Sequence, residues 1–418
     1  MEAKVVKALE DRQLWDLSLE QRLAFLRELL DEERLDAFQR VLGRVLETLQ
    51  VEDEELRLEA TQTLSGVTHW IRQPGLPQAV EGILGQKLQA HFAVEPLPQI
   101  HQSATEALST LLGALVLRGE PALAQAYLME LQDLFGIHEK VQPWRQDGLD
   151  LLKARLTRSD CMDSTVDLLC NVNKEVLTAE IIPYLEWLGP AAPSFLMEKL
   201  SAESDRHRRG RLIEVLRTLG ASSVDAVREA LNEKAWFVVR NALNLLSDIG
   251  DAGSMQAVIP LLRHPEGRVR RAAVRAMWKL GGPASESHLV GILKETDPET
   301  QLEVLFALGQ LKTLGSAPAV LELAEDRRAT ERLRLKALET LGLIGATTAI
   351  PALSDLLKRK GFFGGGSESF EIRLGAAKAL QLIGTPEARW TLQKIVEASP
   401  RGPEKESLNR VLETFTSK

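Results

Sequence analysis

The run from Val269 to Gly282, VRRAAVRAMWKLGG, decides the fold. Counted back from Gly281 at about 100° per residue, Val269, Ala273, Ala276, Met277 and Leu280 fall on one helix face. The run recurs. Helical segments end in glycine at Gly220, Gly250, Gly281, Gly315, Gly345 and Gly384, at intervals of 30, 31, 34, 30 and 39 residues. Eight residues before each glycine stands a small or apolar residue: Leu212, Ala242, Ala273, Ala307, Ala337 and Ala376. In the last copy the buried stripe reads Ile372, Ala376, Ala379, Leu380 and Ile383. A fixed period of this size marks a solenoid, in which each helical unit buries its apolar face against its neighbours. The expected fold is therefore all-α: an α-solenoid, a superhelical array of antiparallel helix pairs. Such an array is expected to be elongated.

Working outward, the first half carries a looser echo. EATQTL (Glu59 to Leu64) and SATEAL (Ser103 to Leu108) are 44 residues apart, and DGLDLL (Asp147 to Leu152) follows 44 further on. Ser18 and Gln21 have the spacing of a capping box before an amphipathic run through Leu23, Leu26, Leu29 and Leu30. The change of period, with the polar break Asn171-Val172-Asn173, places a boundary near residue 175. Residues 1–175 form a helical-repeat subdomain with longer, degenerate repeats, and 176–418 a regular solenoid.

The runs Val269 to Gly282, Ala235 to Asp251 (AWFVVRNALNLLSDIGD) and Ile372 to Ala388 (IRLGAAKALQLIGTPEA) resemble the bacterial HEAT-repeat family, including the HEAT-like repeats first named for phycobilisome lyases. The fourth copy departs from the pattern, with Val304 where other copies have arginine and Gly309 inside its helix. The resemblance specifies a fold and leaves activity open: HEAT-like proteins include scaffolds, chromophore lyases, DNA glycosylases and a di-iron hydroxylase.

Composition narrows the choice. Net charge is −8, with −11 in residues 1–175 and +3 in the remainder, which disfavours nucleic acid wrapped along the whole chain. No stretch of about 18 apolar residues occurs, so no membrane span is expected. The polar start MEAKVVKALEDR lacks the apolar core of a signal peptide, and two cysteines make no disulfide framework. Both suit a cytoplasmic protein. One His-Glu pair, His138-Glu139, is too few for a di-iron site, so no metal and no cofactor is expected. Gly364-Gly365-Gly366 lacks the lysine of a phosphate loop. No catalytic motif appears, and the chain is not expected to be an enzyme.

Four arginines eleven residues before the glycines, Arg209, Arg270, Arg334 and Arg373, flank the buried stripe. Their stems can pack while their heads bond carbonyls or acids of the adjoining repeat. The outward positions, which the HEAT resemblance places on the concave surface, give the candidate partner site: Arg240, Asn244, Arg271, Arg275, Trp278 and Lys312. Phe362 and Phe363, in the insertion Lys358 to Phe370, join them as a second means of gripping a partner. The leading reading is a non-catalytic scaffold or adaptor that binds another protein along the concave face, in bacterial signalling or regulation. The alternative is a HEAT-like enzyme or nucleic-acid binder of the lyase or glycosylase kind. A continuous positive groove with a deep pocket favours the alternative, and a shallow groove of mixed charge favours the scaffold.

Overall fold

The computed structural model describes residues 12–71, 75–136, 143–359 and 367–415. Every regular element among them is helical, arranged as the all-α solenoid type expected from the period. The chain divides into two compact units. Unit 1 runs up to Lys199 and includes Glu203–Ser222; unit 2 comprises Leu200–Ala202 and the chain from Ser223 onward.

Unit 1 contains α1 (Leu19–Asp31), α2 (Leu35–Thr48), α3 (Glu54–Thr68), α4 (Gln78–Val94), α5 (Pro98–Arg118), α6 (Pro121–Gly136), α7 (Pro143–Leu156) and α8 (Ser159–Asn171). It continues with α9 (residues 174–188, with a π turn at Leu177–Ile181), α10 (Ala191–Ala202, except its last three residues) and α11 (Arg206–Leu219). Helices α1, α3, α5 and α7 stack in order as one layer, and α2, α4 and α6 as the other. The 44-residue echo sets the register of that stack: Leu64, Leu108 and Leu152 occupy matching places and are fully buried. Ser18 and Gln21 close the expected capping box at the start of α1. The repeat-length change near residue 175 falls inside unit 1, at Asn173, the N-cap of α9.

Unit 2 contains α12 (Val224–Glu229), α13 (Trp236–Ile249), α14 (residues 255–263, ending in a 3-10 turn), α15 (Gly267–Gly281), α16 (Glu286–Ile292) and α17 (Pro298–Leu311). Then come α18 (Ala317–Glu325), α19 (Glu331–Ile344), α20 (Ile350–Lys358), α21 (Phe370–Ile383), α22 (Pro386–Ala398) and α23 (Pro403–Glu413). The second helices of the pairs, α13, α15, α17, α19, α21 and α23, pack one on the next. The first helices form the other layer. All ten residues of the two stripes quoted above are buried. The small side chains at Ala273 and Ala376 are what let adjoining helices approach closely.

Two helix ends differ from the expectation. Helix α15 runs one residue further, through Gly281, and Gly282 takes the positive φ of 48°. Helix α17 stops at Leu311, with Lys312 in the left-handed conformation at φ 54°. Gly315 lies in the following 3-10 turn instead. The fourth copy is thus phased three residues earlier than the glycine implied. Counted from Lys312, the position eleven back is Gln301, not Val304. Its side chain donates to the Leu293 carbonyl at 2.8 Å, as the arginines of other copies bond their own loops. Gly309 is explained by packing: a Cβ there would lie 3.2 Å from Leu343 of α19.

Candidate partner-binding face

Two sets of polar side chains flank the buried stripe, and they do different work. The first is an arginine ladder at the fourth residue after each N-cap. Asp205 precedes Arg209, Glu266 precedes Arg270, Thr330 precedes Arg334 and Ser369 precedes Arg373. From this place the guanidinium reaches back to the loop before its helix (Arg209), across to the next repeat (Arg373), or both (Arg270 and Arg334). Arg270 donates to the His264 and Pro265 carbonyls at 2.7 and 2.8 Å, and to Asp297 of the following repeat. Arg334 donates to the Ala324 carbonyl at 2.9 Å and to Glu368 at 2.8 Å. Arg373 grips Glu404 through two bonds, and Arg209 donates to the Glu203 and Ser204 carbonyls. The ladder is a stapling device between repeats and offers no ligand site.

The same device runs through unit 1, where the sequence reading did not find it. Asp53 caps α3 and Arg57 follows four residues on, donating to Val51, Glu52 and Glu95. Ser18 caps α1, and the buried Arg22 donates to Glu59 at 2.7 Å. The signal was present, but it is tied to the N-cap and not to a terminal glycine, which unit 1 lacks at most of its helix ends.

At Glu368 the ladder becomes a cluster. Its carboxylate accepts from Arg334 and from Arg327, and Arg359 stands 3.8 Å away. Burial pushes the Glu368 carboxyl up, but the bonds and charges of Arg334 and Arg327 outweigh it and hold the group below its ordinary value. At Asp297 burial is likewise outweighed, by bonds from Thr300 and Arg270, and the group stays ionised far into acid.

The second set lies on the exposed face of the second-helix layer, and here the candidate partner residues sort themselves. Arg240 and Asn244 stand on α13, Arg271, Arg275 and Trp278 on α15, all on the outward side. Asn244 is exposed, and Arg271 has no ion pair among the described residues. Arg275 is paired with Glu303 of α17 at 3.1 Å. Trp278 is only partly exposed, because its indole packs edge-on to Phe306 of α17, with centroids 6.4 Å apart. It lies across the neighbouring helix and does not stand free as an anchor. Lys312 leaves the set, since it is the C-cap of α17 and not a residue of the outward helix face. Phe362 and Phe363 lie outside the described residues. Phe370, from the same insertion, opens α21 with the Arg373 guanidinium 5.8 Å from its ring centre.

Four further residues belong to this face: Trp236, Arg268, Phe306 and Lys336. Trp236, the first residue of α13, lies between two guanidinium groups, Arg268 at 4.8 Å and Arg240 at 5.4 Å from the ring centre. Phe306, 41% exposed, meets Trp278 on one side and the Lys336 ammonium, 5.6 Å away, on the other. Counted from the true cap at Lys312, Phe306 occupies the same outward position as Asn244 and Arg275. The three-residue phase error hid it. Between α17 and α19 the face dips into an open groove of about 560 Å³ lined by Leu302, Glu331, Arg332, Leu335, Lys336 and Glu339. Charge changes sign across the layer. Helix α15 carries five basic residues and no acid, and α17 two glutamates and no base.

The HEAT-repeat family model matches residues 193–278 and 286–361. Those stretches are HEAT repeats. The HEAT stretches contain six of the eight candidate partner residues on described helices and caps, together with Trp236, Arg268, Phe306 and Lys336. No curated protein sequence matches the chain. Similar solved structures include human deoxyhypusine hydroxylase in complex with glycerol, at 19% identity over 63% of this chain and 99% of that one, with a TM-score of 0.27. Kap121p is 14% identical over 98% of this chain and 49% of its own, with a TM-score of 0.39. Importin beta is 12% identical over 99% of this chain and 71% of its own, also with a TM-score of 0.39. The chain spans about half the length of Kap121p.

Among the described residues, no group of three or more His, Cys, Asp or Glu is placed to hold a metal ion. His138 and Glu139 lie outside them. None of the described helices is long and apolar enough to cross a membrane.

Proposed function

We propose that the protein is a non-catalytic scaffold that binds another protein on the exposed second-helix face of unit 2. The observation that carries this reading is the ladder of aromatic and cationic side chains from Trp236 to Lys336. Core packing does not require it: Phe306 is 41% exposed, Arg268 stacks on Trp236 from an exposed position, and Arg240 and Lys336 stack on rings while half-buried. Aromatic and arginine side chains grouped in this way concentrate binding energy at protein interfaces. The acidic helix α17 lies directly beside the basic α15, which breaks any continuous track for phosphates and weighs against nucleic acid. The groove is open and mixed in charge, as a protein-binding surface requires and an excision pocket does not. We place this role in the cytoplasm, in bacterial signalling or regulation. The resemblance of the repeats supports the setting, and the buried, unpaired Cys161 and Cys170 suit a reducing compartment.

Affinity capture with the full chain tests the reading. A variant carrying Arg271→Glu and Phe306→Ser is expected to lose a partner that the wild type retains, with unchanged helical signal. Ser287→Glu, on the exposed side of α16 in the opposite layer, is expected to keep it. Loss with Ser287→Glu and retention with the face variant place the site elsewhere and refute the proposal.

A further inference from the structure

We infer that this face takes a linear peptide segment whose charge runs in order: acidic residues over α13 and α15, an apolar side chain at Phe306, and a basic side chain in the groove between α17 and α19. The inference rests on the reading that the face binds a protein, and it names the chemistry of the bound segment.

The basic end is under-neutralised. Among the described residues Arg240 donates only to Asn241, at 3.2 Å. The acid nearest Arg268 is Glu266, at 4.0 Å, and Arg271 has no ion pair among the described residues. Stacking on Trp236 holds Arg240 and Arg268 in place, Arg240 without an acid among the described residues and Arg268 with only the long contact to Glu266. Carboxylates of a partner supply what is missing. At the other end the local cations are already engaged. Arg332 is paired with Glu299 and Lys336 with Glu339, each at 2.9 Å. Glu331 accepts a bond from Ser369 and, among the described residues, is paired with no cation. Beneath it Leu302 and Leu335 supply an apolar floor. A carboxylate above an apolar floor suits a lysine or arginine, whose methylene stem packs while its head meets the charge. Between the two ends the exposed edge of Phe306, backed by Trp278, forms an apolar station.

The dimensions agree. Packed helices lie about 10 Å apart, so four of them, α13 to α19, span roughly 30 Å, or about nine residues of extended chain. A folded partner of mixed surface charge does not need the charges in sequence order; a linear segment does.

The test uses synthetic fluorescein-labelled peptides of about nine residues, matched to that span. One has an acidic triplet, a central phenylalanine and a basic triplet, and is made in both chain directions. A control of the same composition alternates the charges. Fluorescence anisotropy is read against the full chain. One blocked peptide is expected to bind at least about tenfold tighter than the alternating one. Arg268→Glu with Arg271→Glu, and separately Glu331→Lys, are each expected to weaken it by about tenfold or more without changing the helical signal. Equal affinity for blocked and alternating peptides overturns the inference, as does failure of both blocked peptides to bind at about millimolar concentration. Either failure, together with a partner protein that is captured through the face and lost on Arg271→Glu/Phe306→Ser, removes the peptide chemistry and leaves the scaffold reading standing. Capture insensitive to the face variants removes the scaffold reading itself.

Discussion

Replacing Arg334 by methionine isolates the stapling device at the ion pair in which both partners are buried. The Arg334 and Glu368 side chains are 7% and 3% exposed and 2.8 Å apart. The substitution keeps the stem but removes a bond to the Ala324 carbonyl and one to the Glu368 carboxylate. Breaking a buried pair by removing one partner costs about 3–5 kcal/mol, because the other charge is left uncompensated. Here Arg327 at 3.1 Å and Arg359 at 3.8 Å remain near Glu368 and offset part of that. A loss of about 2–4 kcal/mol is therefore expected. Repeat arrays do not unfold all at once, so global melting dilutes the effect. Amide hydrogen exchange reads it locally: protection should fall in α19 and α21 and hold in α13 and α15. Glu368→Gln should show strong coupling, the double variant costing about 1–2 kcal/mol less than the two singles together. The pair also predicts an acid response. The folded Glu368 carboxyl titrates below its ordinary value, so its contribution is complete above about pH 4.5 and is lost as pH falls through the lowered folded value. Additive single variants, or exchange that changes equally in α13 and α19, refute the staple.

Three other outcomes are expected. Ala273→Leu should destabilise unit 2 by about 1–3 kcal/mol through overpacking, whereas Arg271→Leu on the open face should change it by about 0.5 kcal/mol or less; equal shifts in denaturant midpoint contradict the helix phasing. Lys312→Gly should stabilise by up to about 1 kcal/mol, because a non-glycine residue at φ 54° is strained, and a drop in midpoint counts against that cap. In unit 1, His101 packs between Phe92 and Trp144, and burial, then the Arg145 and His91 charges, lower its pKa to about 4. A lowered base means the folded state binds fewer protons. Its contribution is therefore complete above about pH 6.5 and declines toward pH 4, by roughly 3 kcal/mol in all. His101→Phe should flatten the denaturation midpoint across that window, and an unchanged slope contradicts the burial.

Much of this was legible in the sequence, because in a solenoid the pattern is local. The stripe Val269, Ala273, Ala276, Met277 and Leu280 reports burial directly, since each helix meets only its neighbours. The arginine ladder was half legible. Its distance from the terminal glycine holds in four copies, but its physical origin is reach from the fourth residue after the N-cap to the preceding loop or to an acid of the next repeat, so Arg22 and Arg57 escaped a count made from the wrong end. The face was misread where a helix end was. Gly315 looked like a cap, yet Lys312 takes the left-handed turn, which moved Phe306 off the outward positions and placed Lys312 on them. Trp278 shows a further limit. Helix phase places its Cα on the open side, but only the neighbouring Phe306 explains why its indole lies down across α17.

The claim that unit 2 binds a protein through its second-helix layer is tested most directly by site-specific photo-crosslinking. A photoreactive residue is placed at Asn244, at Arg271 or at Ser287, and adducts formed in native extract are identified by mass spectrometry. Asn244 and Arg271 lie on the face, and Ser287 on the exposed side of the other layer. The same partner is expected at Asn244 and Arg271, none of it at Ser287, and its loss is expected when Phe306→Ser and Arg268→Glu are introduced. A partner crosslinked from Ser287 and absent from both face positions contradicts the account.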